Sequence, residues 1–291
     1  MSKQKLVVAG LAVALIAGGV YWYQVGAVPH KSEAKPAATA GAGATLVFTS
    51  PPRESAEDGE LLYRPIAEYL SQAIGKRVVY KHPGTWGVYR TEMLNGGYDI
   101  IFDGGHFVGY RALKLQHNVV AKMPEAQQFA IIVGAEEKVT QVTDLAGETF
   151  CSPPPPNQGA LLALSQFPDA AKQPIMIPIT SKFWVSVFEG VVSGRCKGGV
   201  LVLANLTKLD KTGATKILFK TPAQPNQAFT VGPRVAPEDQ TKIAAALTSA
   251  EAARATENLR ERFKVGERFV AANNAEYLEL AELLRSEWGF F

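Results

Sequence analysis

Short continuous apolar runs alternate with stretches of helical spacing along this chain. Residues 45–50, TLVFTS, form an apolar, β-rich run ending at Pro51 and Pro52, as a buried strand does. Leu62, Ile66, Tyr69, Leu70 and Ala73 then recur on one face, which predicts a helix over 60–74 stopped by Gly75. A strand at 77–82, a helix at 86–95 closed by Gly96 and Gly97, and a strand at 98–103 follow. The rhythm restarts later with strand 149–152, helix 159–167, strand 175–179, helix 183–193 and strand 199–203. Between the two halves residues 129–133 read as extended, and the closing stretch 238–288 reads as helical throughout, packing back on the first half.

Strands that alternate with helices imply right-handed crossovers and parallel pairing. The pattern therefore predicts an α/β chain of two lobes, each a small doubly wound, mostly parallel sheet. Lobe 1 is expected over 45–126, completed by 236–291, and lobe 2 over 127–235. Sheets of this kind bind ligands beyond the carboxyl ends of their strands. Those ends lie at 50–53, 82–86 and 103–107 in lobe 1 and at 153–158, 180–184 and 204–205 in lobe 2, and all six loops are expected to face one cleft.

The amino-terminal residues set the compartment. Lys3 and Lys5 precede an apolar run over 6–23, and Val25 and Ala27 supply the small residues of a cleavage position, the order of a secretory leader. The same run, about 27 Å long as a helix, also suits an uncleaved membrane anchor over 1–27. Both readings export everything that follows, to the periplasm or to its membrane face. Residues 28–44, rich in Pro, Ala and Gly, read as a flexible linker. At 47% hydrophobic and 20% charged, the whole chain has the composition of a folded protein. Its net charge of +3, with two of the positives in the leader, gives nucleic acid no basic face to bind. Cys151 and Cys196, placed at the end of one strand and the start of its neighbour in an oxidising compartment, are expected to form a disulfide.

Four stretches, PIAEYLSQAIGKRV, GGYDIIFDGGHF, VTDLAGETF and VFEGVVSGRCKGGVLVL, carry a resemblance to the substrate-binding proteins of phosphonate-type ABC transporters, in the type II periplasmic binding protein superfamily. The resemblance spans roughly 46–288. It implies a monomeric, non-catalytic protein without cofactor or metal, which closes two lobes on a small ligand and delivers it to an inner-membrane transporter. Where the family has a Ser-Thr-Ser-Gly-like turn to hold an oxyanion, this chain reads CSPPPPNQG over 151–159. Proline offers no N–H. Pro154 and Pro155 are therefore expected to form an apolar wall, joined by Trp86, Phe107, Phe183 and Trp184 as aromatic lining. Arg53, Asp103, His106, Asn157 and Asn205 are the expected polar contacts. This lining points to a ligand with a large hydrophobic body, lipid, sterol-like or aromatic, and the alternative is the family's oxyanion.

Enzyme signatures are missing: the chain contains no G-x-S-x-G, P-loop, G-x-G-x-x-G or H-E-x-x-H. A metal site built from His82, His106 and Asp103 in a periplasmic enzyme, and a membrane-tethered sensor domain, are the remaining alternatives.

Overall fold

The computed structural model describes residues 43–266, 268–285, 287 and 290–291. The expected leader and nearly all of the linker lie outside the described residues, as does Trp288. No helix among the described residues is long and apolar enough to cross a membrane.

In chain order the first lobe contributes β1 (Leu46–Thr49), α1 (Ala56–Ile74), β2 (Val78–Tyr80), α2 (Trp86–Leu94), β3 (Ile100–Asp103), α3 (Gly105–Lys114) and β4 (Asn118–Lys122). The second contributes β5 (Phe129–Gly134), β6 (Thr149–Ser152), α4 (Gln158–Leu164), β7 (Ile175–Pro178), α5 (Phe183–Val192), β8 (Gly198–Val202), α6 (Leu203–Leu209) and β9 (Thr215–Lys220). The chain then returns to the first lobe with β10 (Ala228–Val231), α7 (Pro237–Thr248), α8 (Ala252–Ala255), α9 (Glu257–Phe263) and β11 (Val270–Ala271).

Helix α1 begins four residues before the expected start because Ser55 caps it. The Ser55 hydroxyl accepts from the Asp58 N–H at 3.1 Å, and Glu57 and Asp58 place negative charge at the positive end of the helix. Its buried face, Leu62, Tyr63, Ile66, Ala67, Leu70 and Ile74, packs on the first sheet, and Gly75 ends it at φ 67°. Pro65 lies inside the helix and leaves the Leu61 carbonyl without its N–H. The Asn258 amide from α9 fills that place at 3.0 Å.

Among the described residues the strands form two sheets, β11-β4-β10-β3-β1-β2 and β7-β6-β8-β5-β9. Both are mixed. Pairing is parallel inside the β-α-β units, β2-β1-β3 and β7-β6-β8, and antiparallel where the chain crosses between lobes, at β10 and β4 in one sheet and at β5 and β9 in the other. The expected boundary at 235/236 is corrected by β10, which is buried throughout and pairs with β3 from Ala228 opposite Asp103, so the return to lobe 1 comes before residue 228. The expectation of helix throughout 238–288 is also corrected. After α9 the chain turns at Lys264, φ 57°, adds β11 at the edge beside β4, and continues in 3-10 turns at Asn274–Glu276 and Leu278–Leu284.

Cys151 and Cys196 are bridged, with their Cα atoms 5.6 Å apart. The parallel β6-β8 pairing brings them together, and Gly190 of α5 lies over the bridge so closely that a Cβ there would stand 2.7 Å from the Cys151 sulfur.

Candidate functional site

The loop after β3 meets the amino-terminal turn of α4 across the gap between the lobes, and the loop after β1 lies against the residue that precedes β10. Arg53, just past β1, donates from Nη1 to the side-chain oxygen of Gln227 at 2.5 Å, and its guanidinium lies 5.4 Å from the centre of the Phe263 ring. Gln227 directly precedes β10. Arg53 Nε and Nη2 are buried and have no hydrogen-bond partner among the described residues. These two nitrogens share one edge of the guanidinium, the fork that takes two oxygens of a carboxylate or phosphoryl group side by side.

Around that edge stand further polar groups of lobe 1. The Glu54 side chain, 5% exposed, faces Arg262 at 3.5 Å and accepts no hydrogen bond, and the Tyr63 hydroxyl is buried without a partner. Burial pushes the Tyr63 phenol up, so it remains a neutral donor. Arg53 and Glu54 open onto a groove of about 470 Å³ also lined by Asp58, Asn258, Glu261 and Arg262.

Asp103 is engaged differently from what the sequence suggested. Its carboxylate accepts from the Tyr89 hydroxyl, from Arg111 Nη1 at 3.0 Å and from the Gly104 N–H at 2.6 Å. Arg111 is fully buried and also donates from Nε to Thr230 at 2.9 Å. The acid is thus the partner of a buried cation, and its oxygens serve the interior of lobe 1.

His106, in the first turn of α3, spans the lobes: its Nε2–H donates to the Pro156 carbonyl at 2.8 Å. Burial lowers its pKa to about 4, against the opposing pull of Asp103 and the Pro156 contact, so the ring is neutral and Nδ1 is a bare acceptor. Gln158 reaches the start of the segment that returns to lobe 1, donating to Gln224 at 2.9 Å. Pro154 and Pro155 are exposed, while the oxygen of Asn157 caps α4 through the Gly159 N–H at 2.9 Å. Asn205 is half-buried in the first turn of α6.

The expected aromatic lining divides. Phe107 is buried in a cluster with Tyr110, Leu284 and Phe290 that also takes in Leu161 from lobe 2. Trp184, half-buried, packs against the core of lobe 2 edge-on to Phe129, with the half-buried Phe183 beside it. Trp86, stacked on Phe107 and 37% exposed, keeps an open face. His82 is tied by Nε2 to the Glu54 carbonyl at 3.1 Å and by Nδ1 to the Gly84 N–H at 3.1 Å. Among the described residues no His, Cys, Asp and Glu side chains group as a metal site, and His82, His106 and Asp103, the alternative metal triad, do not assemble. Glu54, Tyr63 and Gln227 escaped the sequence reading; the last precedes a strand that short apolar patterning had not revealed.

Two mixed α/β lobes joined by paired crossing strands, with polar side chains gathered at the carboxyl ends of the strands, define a two-lobed periplasmic binding protein of type II. The family model for the periplasmic substrate-binding protein of phosphonate ABC transporters matches residues 48–277, and the chain belongs to that family. No curated protein sequence matches it. Among solved structures it is similar to XAC2383 from Xanthomonas citri bound to ATP, with TM-score 0.65, 13% identity, and coverage of 83% of this chain and 97% of that one. It is also similar to PhnD1 from Prochlorococcus marinus in complex with methylphosphonate, with TM-score 0.59, 14% identity, and coverage of 83% and 97%. A binding protein component of an ABC phosphonate transporter from Pseudomonas aeruginosa gives TM-score 0.56 at 14% identity, with coverage of 83% and 85%. At these identities the likeness is one of fold.

Proposed function

We propose that this chain is the exported binding component of an ABC importer and that its ligand presents an oxyanion, phosphonate or phosphate in type, to Arg53. The observation that carries this reading is the buried, unpartnered Nε/Nη2 edge of Arg53 at the end of β1. A charged donor pair held away from water gains most from a bidentate anion, with charge-assisted bonds of roughly 1.5–3 kcal/mol each. Tyr63 and the surrounding loops add neutral donors. XAC2383 bound to ATP and PhnD1 in complex with methylphosphonate each hold a phosphorus oxyanion, in keeping with this choice. The aromatic residues that favoured a lipid or sterol-like ligand are largely drawn toward the cores: Phe107 is buried, and Phe183 and Trp184 pack half-buried against the core of lobe 2. The protein acts in the periplasm as a monomer, with the inner-membrane transporter as its partner, and the leader supplies export.

Calorimetry of the wild type against methylphosphonate, phosphite and phosphate tests the reading. Micromolar binding of one of them, weakened at least tenfold by Arg53→Gln, is expected. Binding no tighter than millimolar for all three, with no effect of the substitution, would overturn it.

A further inference from the structure

The short segment that carries the chain from β9 to β10 is held at one end by lobe 2 and at the other by the proposed anion-binding arginine. At its start Gln224 accepts from Gln158, in the first turn of α4, and exchanges backbone bonds with Gln127 of the opposite crossing at 2.8 and 2.9 Å. In its middle the Asn226 carbonyl accepts from the Tyr277 hydroxyl at 2.6 Å, and the Pro225 carbonyl lies against Gly105, the first residue of α3. At its end the Gln227 side chain accepts from Arg53, while its backbone carbonyl accepts from the Met123 N–H at 3.0 Å. Four consecutive residues therefore touch lobe 2, α3, the carboxyl-terminal region and Arg53 in turn.

We infer that Gln227 is the positioning residue of Arg53, and that the 224–227 segment ties the aim of Arg53 to the contact between the lobes. The physical basis is saturation. Gln227 takes Nη1 and so leaves the Nε/Nη2 edge as the one presented to an anion, with the guanidinium plane further fixed by the Phe263 ring beneath it. The segment has little slack between its anchors: three of its four residues are half-buried and Gln227 is buried, and Tyr277 pins the peptide between them. A shift at Gln224 when α4 moves is thus passed to Gln227 and changes the direction of the Arg53 fork. Reciprocity requires that an anion drawing on Arg53 also alter the Gln224–Gln158 contact. The inference rests on the proposed role of Arg53 for its ligand half, but its mechanical half stands apart from the ligand.

The test places paired spin labels on Leu113→Cys in lobe 1 and Ile175→Cys in lobe 2, both exposed, with the native disulfide intact. Interlobe distance distributions are recorded without ligand for the otherwise unchanged protein, Gln158→Leu, Gln227→Leu and Arg53→Met. Arg53 is remote in sequence from the Gln158–Gln224 contact and Gln227 lies three residues beyond it, yet each of their variants is expected to broaden the distribution as Gln158→Leu does. Gln158→Leu combined with Gln227→Leu should broaden it by less than the sum of the two. Arg53→Met removes the same bond from its other end and keeps the test decisive if Gln227→Leu folds poorly. Broadening by Gln158→Leu alone, with Gln227→Leu and Arg53→Met at the unsubstituted distribution, overturns the inference. In the ligand arm, Gln227→Leu should weaken methylphosphonate at least fivefold. Wild-type failure to bind methylphosphonate, phosphite or phosphate would defeat the functional reading, and the ligand half of the inference with it, while the distance arm still decides the mechanical half.

Discussion

The imidazole of His106, on lobe 1, donates its Nε2–H to the carbonyl of Pro156, on lobe 2, across 2.8 Å. Here a proline carbonyl is the acceptor and lobe 1 provides the proton. The run of prolines has no N–H groups but keeps its carbonyls: those of Pro153 and Pro154 accept from Ser152 and Asn157 within the turn, and the histidine opposite answers that of Pro156.

That histidine gives the protein a defined acid sensitivity. Burial lowers its pKa from 6.5 to about 4, and His117, also buried, falls to about 3. The folded state therefore binds fewer protons than the unfolded chain between about pH 4 and 6.5. Stability rises with pH through that window and is lost as pH falls through it, by on the order of 3 kcal/mol for His106. Denaturant melts at pH 7 and pH 4.5 should show the loss, and His106→Gln should reduce it. A His106 titration near 6.5 by NMR would contradict this.

Replacing Arg111 by Met should cost about 3–5 kcal/mol, because the Asp103 carboxylate would remain buried without its cation. Adding Asp103→Asn to that variant should recover part of the loss. If Arg111→Met melts like the wild type, the carboxylate is not dependent on this pair.

Thiol titration of the unreduced, denatured protein should find no free thiol. The bridge closes a loop with a sequence separation of 45 and should contribute roughly 3–4 kcal/mol in the chain-entropy model. Gly190→Ala, which sets a Cβ against the Cys151 sulfur, should lower Tm while Gly194→Ala, with open space around it though at positive φ, should act only through backbone strain. Equal stability of the Gly190 variant and the wild type would mean that α5 can move off the bridge.

Trp184→Ala and Arg53→Gln should separate cleanly. The first removes packing from the half-buried edge of the lobe 2 core and should destabilise by about 1–2 kcal/mol with methylphosphonate affinity nearly kept. The second should lose affinity with little change in Tm. The reverse pattern, affinity lost with Trp184 and kept with Arg53, would restore the aromatic ligand.

The β-α-β units could be read from the chain because each buried strand is a continuous apolar run next to a helix of regular spacing; residues 149–152 match β6 at both ends. The crossing strands were harder. Residues 215–220 are half-exposed without alternation, and β10 is four residues long. Helix α3 opens on Gly105 and His106 and so reads as a loop, although Arg111 within its apolar face already signals a buried partner for Asp103. At the site, Arg53 stood out as the cation in a strand-end loop. Its neighbours Gln227 and Phe263 come from more than 170 residues away in sequence for the former, a proximity that only the return of the chain creates. The aromatic residues misled because helix starts serve cores as readily as clefts.

The placement of β10 between β3 and β4 sets an order of events as the polypeptide leaves the membrane channel. Lobe 2 is one uninterrupted stretch from β5 to β9, whose two ends lie side by side at Gln127 and Gln224, so it holds all its own strands once residue 220 has emerged. The sheet of lobe 1 has a gap until residue 231 arrives. The half that is translated first is thus the half completed last, and during that interval β3 and β4 expose unpaired edges that a periplasmic chaperone would need to cover.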